Sequence, residues 1–520
     1  MLRAVALTLT CAAMALTAAA CGQSASGGDA DPASLVPAGA PVYAQASVRP
    51  AGDRRDDALA AAGKLLRTDD PAGRLRELVD EALAKDGSGL TWEKDFAPWL
   101  GEEAGIWATN LEAEEPSYAG IVQTTDADAA RAALERFKQQ DAASYTKRSH
   151  AGVDYEVNAD GVAAGLVDDF LVVGTEDAFK RSADLAGGGD TLADSDRYKS
   201  AIDDLADDRL GVFFVDTKVL MDAAIKHDPE TAAGYEQFKS FLPLDKLGPI
   251  AGSFQANGDG MSVDSVMTGL PEGPFRQLAA IVSGGKTELM PDLPGDAWGA
   301  FAVPKLGEAA KTLFSSFAGA IGGAAVAAQV KEATGLDLEQ DIFSWIGDTG
   351  VYVRGAGEPG LDGALVIEST DDDKAAAAFG KIIGLIGKEA GTRPEPIQLP
   401  GAESAFSLAA PDADKPIVLA RGAGRVVAAY GKAAAQAALD PATDLGDSEL
   451  YADAKGALED GMEPGFLLSM PAVITLVDAI GEADADYEKA KPYLETLSAI
   501  TSAGKVDGDT VKSRLAVTLK

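Results

Sequence analysis

The sequence predicts an α+β protein made of two tandem copies of one domain, each a largely antiparallel sheet covered by helices. Three observations lead there. Segments of the second half repeat segments of the first in the same order, offset by about 250 residues. Strand-like runs are joined by short Gly/Asp turns, Asn257-Gly258 and Asp507-Gly508, of the kind that make antiparallel hairpins. Ala-rich helical runs follow Thr-Asp or Ser starts, with Ser195 and Ser448 in matching places as N-caps.

The chain opens on an export signal. Arg3 is the single charge before the apolar stretch Ala4–Ala20, which ends in Ala18-Ala19-Ala20 directly before Cys21 and Gly22. Small residues upstream of the cut are what signal cleavage requires. The stretch resembles the lipobox of bacterial lipoproteins, with Ala in place of Leu at its first position, and that resemblance implies a diacylglycerol on the Cys21 sulfur. Cys11 leaves with residues 1–20, so Cys21 is expected to be the single cysteine of the mature chain. Residues 21–34 (CGQSASGGDADPAS) read as a flexible tether.

The first repeat is placed at 35–270, a connector at 271–288 and the second repeat at 289–520. VPAGAPVYAQASV (36–48) matches LPGDAWGAFAV (293–303), and GLTWEKDFAPWLG (89–101) matches GLDLEQDIFSWIG (335–347). AGIWAT (104–109) and TGVYVR (349–354) follow as strands. YAGIVQTTDADAARAALERF (118–137) and DGALVIESTDDDKAAAAFGK (362–381) each read as strand, Thr-Asp start and helix. Within the Trp segments, Phe96/Ile342 and Trp99/Trp345 lie three apart on one helical face, with Gly101/Gly347 expected to stop the helix. Core packing is the expected role of these rings, ahead of an aromatic binding platform.

The opening VPAGAPVYA after a short tether, together with D-F/I-x-x-W-L/I-G, resembles an uncharacterised exported bacterial family known as domain of unknown function 3352. The resemblance covers most of the mature chain and implies an envelope location. It brings no site residues with it.

The halves differ most at Thr312–Val330 (TLFSSFAGAIGGAAVAAQV), an uncharged run with a Gly319/Gly323 spacing. Its few strongly apolar side chains would contribute only about −3 kcal/mol to insertion. It is therefore expected to be a helix pair, broken near Gly322-Gly323 and packed on the second sheet. Its small side chains either fill the core or leave a groove for an apolar ligand or a partner helix.

A net charge of −37 disfavours nucleic acid and anionic headgroups as partners. With two histidines, His150 and His227, no metal or other cofactor is expected. Three Ser-x-x-Lys matches, Ser144/Lys147, Ser283/Lys286 and Ser502/Lys505, lack the companion motifs of serine acyl enzymes. Glu156–Gly161 imitates the start of a calcium loop, but Val167 stands where the last ligand belongs. Asp168-Asp169 and Asp203-Asp204 are sequence neighbours whose carboxylates do not face each other without tertiary help. The expected protein is a non-catalytic binding or scaffolding lipoprotein. It is held by Cys21 on the extracytoplasmic side of the cell membrane, with an apolar ligand or an envelope protein as partner. An envelope hydrolase using Asp/Glu and Ser is the alternative.

Overall fold

The computed structural model describes residues 30–520 apart from 86–88, 111–116, 141–143, 228–232, 237–238, 240–242, 244–245, 285, 321–322, 358–359, 390–392, 411–412 and 482–483. The signal segment and Cys21 lie outside the described residues. The chain divides into two compact units. One runs to Ala224 and includes Leu247–Thr268; the other comprises Ile225–Lys246 and Gly269–Lys520. Both are α+β, with antiparallel strand pairing.

In the first unit the strands are β1 (Val42–Ser47), β2 (Leu100–Asn110), β3 (Ser117–Thr124), β4 (Tyr145–His150) and β5 (Val153–Asn158), then β6 (Val162–Val167), β7 (Phe170–Thr175), β8 (Gly211–Val215), β9 (Ile250–Asn257) and β10 (Gly260–Met267). They pair in the order β4-β5-β6-β7-β3-β2-β1-β8-β9-β10. The helices are α1 (Gly52–Leu66), α2 (Pro71–Lys85), α3 (Ala127–Gln140), α4 (Glu176–Ala186), α5 (Asp196–Ile202) and α6 (Thr217–His227).

Alternating side chains give this sheet two apolar faces. Tyr43, Trp107, Ile121, Val172 and Phe214 form one core with α4, α5 and a 3-10 turn at Pro32–Leu35. Val48, Val122, Leu171 and Val173 form the other, under α2, α3 and Trp92, Phe96 and Trp99. Because Ala33 and Leu35 are buried, the expected tether ends short of Ser34. Asp31 fixes that turn by accepting from the Ala33 amide at 2.9 Å.

The Trp99 segment is a single π-turn, Trp92–Phe96, rather than the expected α-helix. The Trp99 indole donates to the Asp95 carbonyl at 2.6 Å, while the Asp95 carboxylate accepts from the Thr91 amide (2.9 Å) and pairs with Arg136 of α3 (2.7 Å). Nor does Gly101 stop a helix. It sits in β2, where the register slips between Leu100 and Ala104, and a Cβ there would meet the Gln123 side chain at 2.8 Å.

The second unit holds β11 (Ala297–Val303), β12 (Ile346–Arg354), β13 (Asp362–Ser369), β14 (Glu395–Pro396) and β15 (Ser404–Leu408), then β16 (Ile417–Gly422), β17 (Arg425–Tyr430), β18 (Phe466–Ser469), β19 (Leu497–Asp507) and β20 (Thr510–Leu519). Their order is β14-β15-β16-β17-β13-β12-β11-β18-β19-β20. The helices are α7 (Pro274–Gly284), α8 (Leu306–Ala320), α9 (Gly323–Thr334), α10 (Asp372–Glu389), α11 (Lys432–Leu439), α12 (Glu449–Gly456), α13 (Met470–Ile480) and α14 (Ala485–Leu494).

Tyr352, Ala364, Val366, Val427 and Leu467 face α11 and α12 and make the main core of this unit. Trp345 again follows a π-turn, with its indole on the Asp341 carbonyl at 2.8 Å and the Asp341 carboxylate 2.8 Å from Lys381. Gly347 lies in β12 and not at a helix end. Segment 271–288, read as a connector, carries α7, which packs on β19 and β20.

Two helices are described along the uncharged run, α8 and α9, while residues 321–322, at the expected break, lie outside the described ones. Of these, α8 packs on β12, whereas α9 rests on α8 and the π-turn and leaves Val326 half exposed. Side chains 317–324, including Gly319 and Gly323, lie outside the described ones. Among the described residues no helix is long and apolar enough to cross a membrane.

One carboxylate lends the first unit a pH dependence. Glu176, at the start of α4, meets Lys180 at 2.8 Å, the Tyr155 hydroxyl at 2.8 Å and Arg148 at 2.6 Å. The Lys180 hydrogen bond leads in lowering its pKa from 4.5 to about 2. Its folded pKa being depressed, this stability is present above the ordinary value and is lost as pH falls through the folded one. Solvent screening holds the gain to about 1 kcal/mol. Glu176→Gln should therefore melt below wild type at pH 7, and the gap should close between pH 4.5 and about 2. Melting curves with a pH-independent gap would contradict this assignment.

Candidate functional site

Paired residues on neighbouring strands project to the same side of a sheet. Across the second unit, Leu365 of β13 lies opposite Val351 of β12, which lies opposite Phe301 of β11. Phe301 also faces Phe466 of β18, and the row continues through Ser502 of β19 to Leu515 of β20. This band runs across the strands on the face away from Tyr352 and the main core. Four of its members are open to solvent: Phe301 (50%), Leu515 (46%), Val351 (41%) and Leu365 (37%).

Helices cover only part of this face. Trp345 and α10 shield Ile367 and Val426. Gly504 of β19 lets α7 press close, since a Cβ there would collide with the Ser283 carbonyl oxygen. Away from these helices the face opens into a groove of ≈ 440 Å³, floored by Val351, Val353, Gly363, Leu365, Ala428 and Tyr430. That volume falls within the roughly 300–1,000 Å³ of small-molecule sites. Gly363 is required by the twist of β13 against β12, because a Cβ there would strike the Tyr352 carbonyl oxygen.

A cation stands at the rim. The Lys415 ammonium donates to the Leu361 carbonyl at 2.8 Å and lies 5.7 Å from the Tyr430 ring centre. Leu361 and Tyr430 both line the groove. Among the described residues Lys415 has no carboxylate partner, whereas Asp362 pairs with Arg354 at 2.7 Å, a guanidinium that Asp296 shares at 3.2 Å. The lining thus offers apolar contact, with the Lys415 ammonium beside two of its members, Leu361 and Tyr430.

Residues singled out in the sequence lie elsewhere. Cys21 is outside the described residues. Ser144 is exposed and Lys147 is in β4, so that pair has no helix start to share; Ser502 and Lys505 are both in β19, with Lys505 on Glu459 at 3.3 Å. Ser283 lies near the end of α7, and Lys286 is exposed beyond it. Asn158 of the calcium-like stretch closes a hairpin turn by accepting from the Asp160 and Val162 amides. Asp168-Asp169 forms the β6–β7 turn, and Asp203 caps α5. His150 meets Asp184 at 2.7 Å; the His227 side chain is not among those described. Trp99 and Trp345 are core residues, both 2% exposed, and present no platform.

Half-buried carboxylates that sequence reasoning passed over include Asp31 and Glu103 of the first unit. Burial raises the pKa of Asp31 and of Glu103 above the usual range. Glu103 takes a bond from the Gln45 amide at 3.3 Å, and Gln45 accepts from the Tyr43 hydroxyl at 2.7 Å. Both acids are engaged in fixing β1 and the Pro32–Leu35 turn. The signal that could have found Glu103 is its place on β2 between two apolar faces.

Fold and groove together define an α+β protein of two compact units, one of which exposes an apolar sheet face. The chain belongs to the family described as protein of unknown function DUF3352, which matches residues 2–519. No curated protein matches it. Among solved structures it is similar to TP0453 in crystal form I, at 10% identity and TM-score 0.27, covering 50% of this chain and 90% of that one. For crystal form III the values are 11%, 0.24, 50% and 91%. Scores this low carry no argument about fold or function.

Proposed function

We propose that this is a non-catalytic lipoprotein, anchored through Cys21 on the extracytoplasmic face of the cell membrane, whose second unit binds an apolar ligand. The observation that carries the binding role is the row Leu365–Val351–Phe301, exposed on a face whose other end is covered by helices. Exposed apolar patches on a stable protein mark interaction sites.

In this reading the two units are copies of one domain that have diverged in surface. Identical strand order supports it, as does the bond from Trp99 to the Asp95 carbonyl, matched by that from Trp345 to Asp341. The bridges Pro37–Thr191 and Pro294–Asp444 fall at matching places. On the alignment of the halves, Ala44 and Gly120 stand where the second unit has Phe301 and Leu365. Enlargement to Phe and Leu at solvent-facing positions gives no folding advantage unless something covers them.

The test uses the full chain carrying Cys21→Ser, titrated with the apolar fluorophore N-phenyl-1-naphthylamine. Saturable binding is expected, weakened at least about tenfold by Leu365→Asp, equivalent to ~1.4 kcal/mol. The melting temperature should change little, because that side chain is already 37% exposed. A protein that takes up no fluorophore, or a variant that binds it as tightly, would remove the apolar-ligand role.

A further inference from the structure

The groove has a polar end, and we infer from it that the ligand is a long-chain carboxylate whose head lies at Lys415. This rests on the apolar-ligand reading and adds the chemical class. Three features of the site converge on it.

First, the floor is apolar along its length, so the body of the ligand is hydrocarbon. From Tyr430 on β17 the band crosses β13, β12 and β11 to Phe466 on β18. Four strand spacings of ~4.8 Å make about 19 Å, the reach of a long acyl chain. Second, the row Leu365–Val351–Phe301 is open to solvent, which suits a flexible single chain better than a bulky ring system. Third, charge is placed at one end only. Lys415 is held by the Leu361 carbonyl and the Tyr430 ring, both neutral, in a chain of net charge −37. Its ammonium has three donors, and the carbonyl uses one. A carboxylate at the rim would take another, while its chain passes over Leu365 and Val351 toward Phe301. The neighbouring acid, Asp362, is held by Arg354, which Asp296 shares, and makes no ion pair with Lys415.

The experiment compares palmitate with hexadecanol, which has the same chain and no charge, on the full chain carrying Cys21→Ser. Calorimetric titration should show palmitate binding about tenfold tighter than the alcohol, as one charge-assisted hydrogen bond provides. Lys415→Gln should bring palmitate down about tenfold to the level of the alcohol and leave the alcohol unchanged. Lys415→Arg should retain most of the preference, which separates loss of charge from loss of fold. Equal palmitate affinity in Lys415→Gln would overturn the carboxylate assignment while hexadecanol binding kept the apolar groove. Binding of neither ligand would remove both. Sedimentation of the same samples covers the remaining occupant: a dimer that Leu365→Asp dissociates would give the face to a second copy of the chain and overturn the proposal.

Discussion

Cys21→Ser will abolish incorporation of labelled fatty acid and move the protein out of the membrane fraction. On the lipid-anchor proposal the effect is expected to be large. No described helix is able to span, and a net charge of −37 repels anionic headgroups. Two acyl chains supply what is missing, at about 0.8 kcal/mol for each buried methylene. A single chain gives only marginal, reversible attachment, so partial acylation would show as protein split between fractions. Equal labelling of wild type and variant would end the anchor proposal, whereas a variant that sediments unlabelled with residues 1–20 uncleaved is the misprocessed form the proposal also expects.

The second large effect is structural. Trp99→Ala should cost about 3–5 kcal/mol in the first unit, the range for deleting a buried large aromatic side chain. Trp99 is 2% exposed, lies tilted against Phe96 at 6.2 Å between ring centres, and donates to the Asp95 carbonyl. Removal leaves a cavity beside Phe96 and Leu100 and an unpaired carbonyl at the turn that aims β2. Denaturant unfolding followed by circular dichroism measures it. A loss under about 1 kcal/mol would show that the ring neither supports the core nor anchors the turn.

Strands and hairpins were legible because they follow from local signals repeated along the chain. Alternation marked β11, β12 and β13, and Asp507-Gly508 marked the β19–β20 hairpin, where Gly508 takes a φ of 60°. The D-x-x-x-W spacing was legible as structure, but its turn type was not. A π-turn differs from an α-turn by one hydrogen-bond step, and the choice here is made by Asp95 reaching back to the Thr91 amide.

The groove was harder to see. Sequence pointed at small residues, Gly319 and Gly323, because an uncharged helix stands out in a charged chain. The exposed face is instead made of Phe301, Val351 and Leu365, ordinary strand residues whose period-2 pattern matches that of a buried face. Which face a helix covers is decided by docking, through Gly504 under α7 and Trp345 under α10, and neither leaves a mark in the strand pattern. Lys415 was equally silent, since its partners are the Leu361 carbonyl and a ring far off in sequence.

The way the chain enters the first unit has a mechanical consequence. Just after the Pro32–Leu35 turn the backbone becomes β1, an interior strand with β2 on one side and β8 on the other. A pull on the N-terminus is therefore delivered along the axis of the most enclosed strand, and not to an edge that could be peeled. The register spans Val42 to Ser47 against β2 and Val42 to Ala46 against β8, so bonds on both flanks share the load and must yield nearly together. The Ser182 hydroxyl, donating to the Leu35 carbonyl at 2.8 Å, clamps the chain just ahead of that strand. Resistance to such a load is set by the rate of unfolding rather than by equilibrium stability. The end nearest Cys21 is thus built into the part of the fold that shears last.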